Sequence, residues 1–192
     1  MGFRSVIAVG LAAASLAAPA ASAGEIEGVT FEESLSAGGT ELSLHGMGLL
    51  RYRIFIKAYV AALYLAESFD REPTPSAVLA DVPRRLEIEY RWAIPARDFA
   101  KVTIEGISRN TDGAGFERLR DRIARLNAIY EDIEPGDRYA LTYAPGVGTE
   151  LARNGRRLGV IEGADFSSAL FAIWLGERAP DDSLRRQLLA GR

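Results

Sequence analysis

The 192-residue chain contains no cysteine. That single absence removes disulfides, thiolate nucleophiles and thiolate metal ligands together, and it leaves the domain to rely on its core. Histidine is nearly absent too. His45 stands alone, which excludes a multi-histidine zinc site, and it has no G-x-S-x-G elbow to serve in a nucleophilic relay. At a strand end beside Gly46 it fits a turn or surface role. There is no D-x-D-x-D-G calcium loop. The one G-x-G, Gly46-Met47-Gly48, precedes extended sequence rather than a strand-to-helix turn, so it is not a dinucleotide motif. Basic residues are outnumbered, 23 Lys and Arg against 26 Asp and Glu, which argues against a nucleic-acid partner. Neighbouring carboxylates such as Glu32-Glu33, Glu131-Asp132 and Asp181-Asp182 sit at element ends, where solvation or capping accounts for them. No metal or organic cofactor is implied.

What is present begins with an export pattern. Arg4 supplies a positive start, Val6 to Ala18 a short apolar run, and Ala21-Ser22-Ala23 a small-residue cleavage site, so residues 1–23 read as a secretory signal peptide and the mature chain as 24–192. The apolar run falls short of the ~20 residues that span a bilayer and is rich in alanine. The expectation is a periplasmic or secreted protein with no stable membrane span once the signal is removed. Losing Arg4 leaves 22 basic residues against 26 acidic ones.

Along the mature chain, Val29 to Leu35 and Thr40 to Leu44 read as short strands joined at Ala37-Gly38-Gly39. Arg84 to Trp92 alternates strictly, with Leu86, Ile88, Tyr90 and Trp92 on one face. Pro95 suits the start of a helix carrying Phe99, Val102, Ile104, Gly106 and Ile107. A second helix, from about Phe116 to Asp132, has Phe116, Leu119, Ile123, Leu126 and Tyr130 on one stripe and mixed charges elsewhere. Strands return at Asp137 to Tyr143 and Thr149 to Ile161, the latter folded at Asn154-Gly155. Asp165 predicts an N-cap for a helix over Phe166 to Leu175 that Gly176 ends, and a last helix covers Asp182 to Leu189. No linker or repeat divides these pieces. They predict one α+β domain, a mainly antiparallel sheet covered by a layer of helices.

The stretch Gly46 to Leu65 carries the most information. Read as one extended strand, it puts Leu50, Tyr52, Ile54, Ile56, Ala58, Val60, Ala62 and Tyr64 on one face, nearly all apolar. The other face carries Arg51, Arg53, Phe55, Lys57 and Tyr59, then Ala61, Leu63 and Leu65. The first face suits a core; the second meets water, an acidic partner or a ligand. The two glycines before it permit a close backbone approach.

The G-x-G, Arg51 and the run Lys57-Ala58-Tyr59-Val60-Ala61-Ala62-Leu63-Tyr64-Leu65 resemble the chalcone-isomerase-like proteins, in particular their exported bacterial branch. Phe166-Ser167-Ser168-Ala169-Leu170, Trp174-Leu175-Gly176 and Asp181-Asp182-Ser183-Leu184 are similar to that family's final helices. The resemblance implies an open-faced β-sandwich with a cleft between sheet and helices. It also implies a substrate-binding arginine at Arg51, but the other positions depart from the active enzymes. The strand threonine falls at Tyr59, the helix tyrosine near Asp98 or Phe99, the asparagine near Glu105 or Gly106, and the last hydroxyl at Ile173. Without groups that orient water and meet developing charge, isomerisation of a chalcone loses its chemical basis. What remains resembles the family's fatty-acid-binding members: Arg51 and Tyr59 for a carboxylate, and Phe99, Phe166, Leu170 and Ile173 around an apolar tail. The expected ligand is a small amphiphilic anion such as a fatty acid. Two other readings stay open: an isomerase or lyase using Arg51 and Tyr59 as catalytic groups, and a periplasmic domain that binds a protein partner and no small ligand.

Export is checked directly. Chain recovered from the periplasm of its own host should begin at Gly24 on mass analysis, and recovery only from the membrane with residues 1–23 attached would refute the cleavage reading.

Overall fold

The computed structural model describes residues 24–52 and 56–192. The signal-peptide reading of residues 1–23, and the faces assigned to Arg53, Ile54 and Phe55, lie outside the described residues. Seven strands form one antiparallel sheet in sequence order: β3 (Ser34–Ala37), β4 (Thr40–Tyr52), β5 (Ile56–Leu65), β6 (Arg84–Tyr90), β7 (Arg138–Ala144), β8 (Gly148–Arg153) and β9 (Arg156–Ile161). A separate hairpin of β1 (Gly24–Ile26) and β2 (Val29–Phe31) precedes it. The turn at Gly38-Gly39, with φ of 57° and 82°, and the turn at Asn154-Gly155, with φ of 49° and 78°, have the left-handed backbone their sequences predict. The sheet curls so far that a side chain on Gly38 would meet Ala144 Cβ at 2.6 Å.

Between β5 and β6 lies the short α1 (Pro75–Val78); α2 (Ala96–Asn110) and α3 (Gly113–Asn127) connect β6 to β7; α4 (Ala164–Leu175) and α5 (Asp182–Leu189) end the chain. The helices gather on one face over the larger core, built from Leu86, Ile88, Tyr90, Leu126, Phe166 and Phe171 among others. The opposite face of β5 closes a smaller core with Val29, Phe31, Leu42 and Leu44. This is the α+β architecture that the sequence predicts, a mainly antiparallel sheet covered by a layer of helices. On α2, Thr103, Gly106 and Ile107 are buried whereas Val102 and Ile104 stay exposed, so the inner stripe is narrower than the sequence pattern suggests.

The Gly46–Leu65 stretch is not one strand. It folds back on itself as β4 and β5, paired antiparallel from Ser43↔Leu65 to Tyr52↔Ile56. Twenty residues exceed the usual strand length of about 3–10, and nothing among Arg53, Ile54 and Phe55 signals a turn. Two irregularities re-aim side chains. The register steps from Leu50↔Tyr59 to Arg51↔Lys57, which makes Ala58 an extra residue in β5 and breaks the simple alternation of Lys57 with Tyr59. Nor does either face of β5 meet water beyond that point. Ala61, Leu63 and Leu65 are buried in the larger core, while Val60, Ala62 and Tyr64 are buried in the smaller one. A central strand covered on both sides loses its polar face.

Three further positions differ from expectation. Trp92 does not join Leu86, Ile88 and Tyr90; β6 ends at Tyr90 and Trp92 is exposed, its Nε1 donating to Lys57 O at 2.9 Å. Asp165 is the second residue inside α4 rather than its N-cap. Gly163 caps the helix with φ 106°, a backbone that side chains disfavour, and Asp165 pairs with Arg122 at 2.6 Å near the positive helix end. His45, the extra residue of the other β4–β5 irregularity, bonds through Nε2 to Leu189 O at 3.1 Å and so ties β4 to the end of α5.

Arg84 is fully buried between the rings of Tyr143 and Phe171, each centroid 4.7 Å from Cζ. It donates to Val78 O, Ala80 O and Val82 O, which finish α1, and to Ser167 Oγ at 2.6 Å on α4. Burial pushes its pKa down to about 10, still charged at neutral pH. One cation thus clamps the α1 loop, the sheet and α4.

The G-x-G pair has a packing cause. A side chain on Gly46 would strike the Leu188 carbonyl of α5, and one on Gly48 would come 2.6 Å from Leu184 Cδ1, while Gln187 Oε1 accepts from Leu49 N at 3.1 Å on the uncovered edge of β4. Backbone cannot yield as a side-chain end can. Gly46→Ala should therefore cost about 2–3 kcal/mol in urea unfolding and Gly48→Ala about 1 kcal/mol or less; equal costs would refute this packing account.

Candidate functional site

A cavity of about 420 Å³ opens where the helix layer parts over the N-terminal half of β5. Its floor comes from Leu50 on β4, Ala58 and Tyr59 on β5, and Tyr90 on β6; its walls come from Phe99 and Val102 on α2, Ile173 and Trp174 on α4, and Leu184 at the start of α5. The volume lies within the roughly 300–1,000 Å³ of ordinary small-molecule sites. A narrow extension of about 40 Å³ continues inward and shares Tyr90, Phe99, Val102, Ile173 and Trp174 with the main chamber. A larger groove near the start of α3 mixes Asp112, Arg118, Asp165, Glu177 and Arg178 with Leu79, Leu119, Ala169 and Ala172, a far more polar lining than that of the cavity.

The bulge at Ala58 turns both Ala58 and Tyr59 towards this cavity. Tyr59 and Tyr90 are directly paired across β5 and β6, with ring centroids 5.7 Å apart and edge-to-face. Tyr90 in turn meets Phe99 at 5.3 Å and Tyr139 at 6.1 Å, and Phe99 stacks on Tyr130 at 5.4 Å. Such contacts contribute roughly 0.5–1.5 kcal/mol each beyond burial, which makes this wall rigid. Gly106 on α2 lets Ile173 of α4 come within 2.7 Å of where its Cβ would stand, drawing the two helices together beneath the cavity.

Of the six side chains the sequence assigns to a ligand, four border the cavity: Arg51, Tyr59, Phe99 and Ile173. Phe166 and Leu170 do not. Both are fully buried in the core, because α4 enters the site only by its C-terminal turn, and Phe166 lies seven residues, about 10 Å, behind Ile173. Arg51 and Tyr59 also differ from expectation. They sit on neighbouring strands, and Arg51 lies at the rim with its side chain half exposed, 3.6 Å from Glu27. Glu27 also holds Lys57 at 2.5 Å, and that bond, aided by the two neighbouring guanidinium groups, keeps its carboxyl below the usual range.

Arg51 is the one cation among the cavity's lining residues, and Asp98 and Asp181 stand at the same margin. Deeper in, the polar groups are phenols and the Trp174 indole, whose Nε1 donates to Tyr59 Oη at 3.1 Å. Burial raises the Tyr59, Tyr90 and Tyr130 phenols well beyond the ordinary tyrosine range. They remain neutral hydrogen-bonding groups in any physiological medium. Tyr90 was legible only as a core aromatic, since no local pattern tells that β6 pairs with β5 at Tyr59.

A family model described as chalcone isomerase-like matches residues 23–190, and the chain belongs to that family. Among solved structures, a fatty-acid binding protein of Arabidopsis thaliana superposes with a TM-score of 0.67 over 88% of this chain and 96% of its own, at 15% identity. That likeness is one of fold. No curated protein matches the chain.

The buried phenols give an alkaline signature. Below about pH 10 the folded and unfolded chains both hold these protons, so the stability is complete; above it the unfolded chain ionises first and stability falls. Tyr59, Tyr90 and Tyr130 should therefore form tyrosinate only together with unfolding, followed by absorbance beside circular dichroism. Full tyrosine ionisation in a still-folded chain would contradict their burial.

Proposed function

We propose that the mature chain is an exported, non-catalytic carrier of an amphiphilic acid such as a fatty acid. The observation that carries this reading is a preformed apolar cavity with a single cation, Arg51, at its rim. The hydrocarbon part occupies the aromatic chamber, and the carboxylate meets Arg51, which exchanges its exposed contact with Glu27 for the ligand. Support also comes from the family and from the fold shared with a fatty-acid binding protein. Isomerase chemistry has less to work with: Tyr59, the group that reading would use as acid, is a phenol whose pKa burial raises far above neutrality, and general acids work best near the operating pH. Among the described residues no helix is long and apolar enough to cross a membrane.

Native mass spectrometry of chain purified from its own periplasm, followed by denaturing extraction, tests the proposal. The protein should carry a long-chain acid. Arg51→Ala should weaken binding by about tenfold or more, the loss of one charge-assisted contact, while unfolding free energy stays within about 1 kcal/mol because the side chain is half exposed. An empty protein that gains no mass from a panel of fatty acids would overturn the carrier reading.

A further inference from the structure

Four tyrosines meet in or beside the aromatic wall, and three have engaged hydroxyls. Tyr139 donates to Glu131 O at 2.7 Å and accepts from Glu131 N at 2.8 Å. Tyr130 shares a 2.9 Å hydrogen bond with Thr103 Oγ1, and Tyr59 accepts from Trp174 Nε1. Tyr90 differs. It is 4% exposed, borders both the main chamber and its extension, and its hydroxyl has no hydrogen-bond partner among the described residues. Covering this hydroxyl with a ligand group that cannot pair it is costly, a penalty that a matching group on the ligand removes. Tyr59 stands opposite it across the strands and uses its oxygen only as an acceptor, so its own O–H is uncommitted as well.

These two donors lie in a chamber whose other polar features are few. A hydrocarbon segment would leave both unpaired. A carboxylate at this depth would be a buried charge without a cation, since Arg51 sits at the rim. An uncharged carbonyl oxygen fits instead: it has two lone pairs for two O–H donors and brings no proton that needs an acceptor.

Resting on the carrier reading above, we infer that Tyr90, with Tyr59, reads an uncharged carbonyl oxygen carried part way along the apolar chain, so that the preferred ligand is an oxo-substituted long-chain acid rather than a plain one. Arg51 then receives the acid end and Tyr90 sets the selectivity. Sites built to hydrogen-bond a ligand group discriminate against analogues that lack it, because their own buried polar groups are left unpaired.

Calorimetric titration of the full mature chain with stearate and with a mid-chain ketostearate tests this. The wild type should bind the ketone about tenfold tighter, the equivalent of one well-made hydrogen bond. Tyr90→Phe keeps the ring and should abolish that preference. The ligand-free variant should melt at the wild-type temperature, since the hydroxyl has no partner within the described residues to lose. Equal affinity of the wild type for the two acids would overturn the selectivity inference and leave the carrier reading intact. Preference that survives in Tyr90→Phe, or a lowered melting temperature of the ligand-free variant, would overturn it by showing that another group reads the ketone or that the hydroxyl has a structural partner. If neither acid binds, the carrier reading falls and takes the inference with it.

Discussion

The whole architecture depends on one constraint, the burial of β5 on both faces. Val60 to Leu65 are each 1% exposed or less, with odd and even positions committed to different cores. A strand in that position needs a cover on each side. The helices supply one; the β1–β2 hairpin and the curled start of the sheet supply the other. Two-sided cover explains why the segment reads as a nearly continuous apolar run. It also locates the cavity, because the helix layer closes over Ala61 to Leu65 and parts before Tyr59, where α2, α4 and the start of α5 separate.

Charge is organised around the same strand. On the face away from the helices, Glu87 and Glu89 of β6 pair with Arg85, Arg138 and Arg91, and Glu27 holds Lys57 and Arg51. The cationic residues that look unclaimed in the sequence are therefore mostly held by acidic ones. Arg84 is the exception inside the molecule: its two terminal nitrogens donate to carbonyls and Ser167, and its guanidinium lies against two aromatic rings. Nearly all the net polarity that a ligand could meet is thereby confined to Arg51, Asp98 and Asp181 at the rim and to neutral phenols within. Such a lining favours an apolar body with one charged end.

Much of this was legible from residues alone, and the errors share a cause. The strands at Arg84–Tyr90 and Arg138–Ala144, the Asn154-Gly155 turn and α5 follow local rules of alternation, turn geometry and capping. Phe99 and Ile173, expected from the family resemblance, do border the cavity. The single long strand was wrong because Arg53, Ile54 and Phe55 carry no turn chemistry. The expected common face of Arg51 and Tyr59 was wrong because alternation survives only in a strand without a bulge. Phe166 and Leu170 belong to the same apolar helix as Ile173, and which turn of a uniformly apolar helix reaches a cavity is not written along it.

The amino-acid sequence determined the element types, the antiparallel α+β class, the family and the absence of thiol or multi-histidine chemistry, since each follows from composition or from patterns spanning a few residues. Tertiary structure alone decided that Gly46 and Gly48 serve helix α5, that Glu27 shares Arg51, and that Tyr90 stands buried with its ring edge-to-face against Tyr59. Those relations join residues 24 to more than 100 positions apart or depend on a one-residue bulge, and their energies are set by which surfaces meet and exclude water, a property no local pattern encodes.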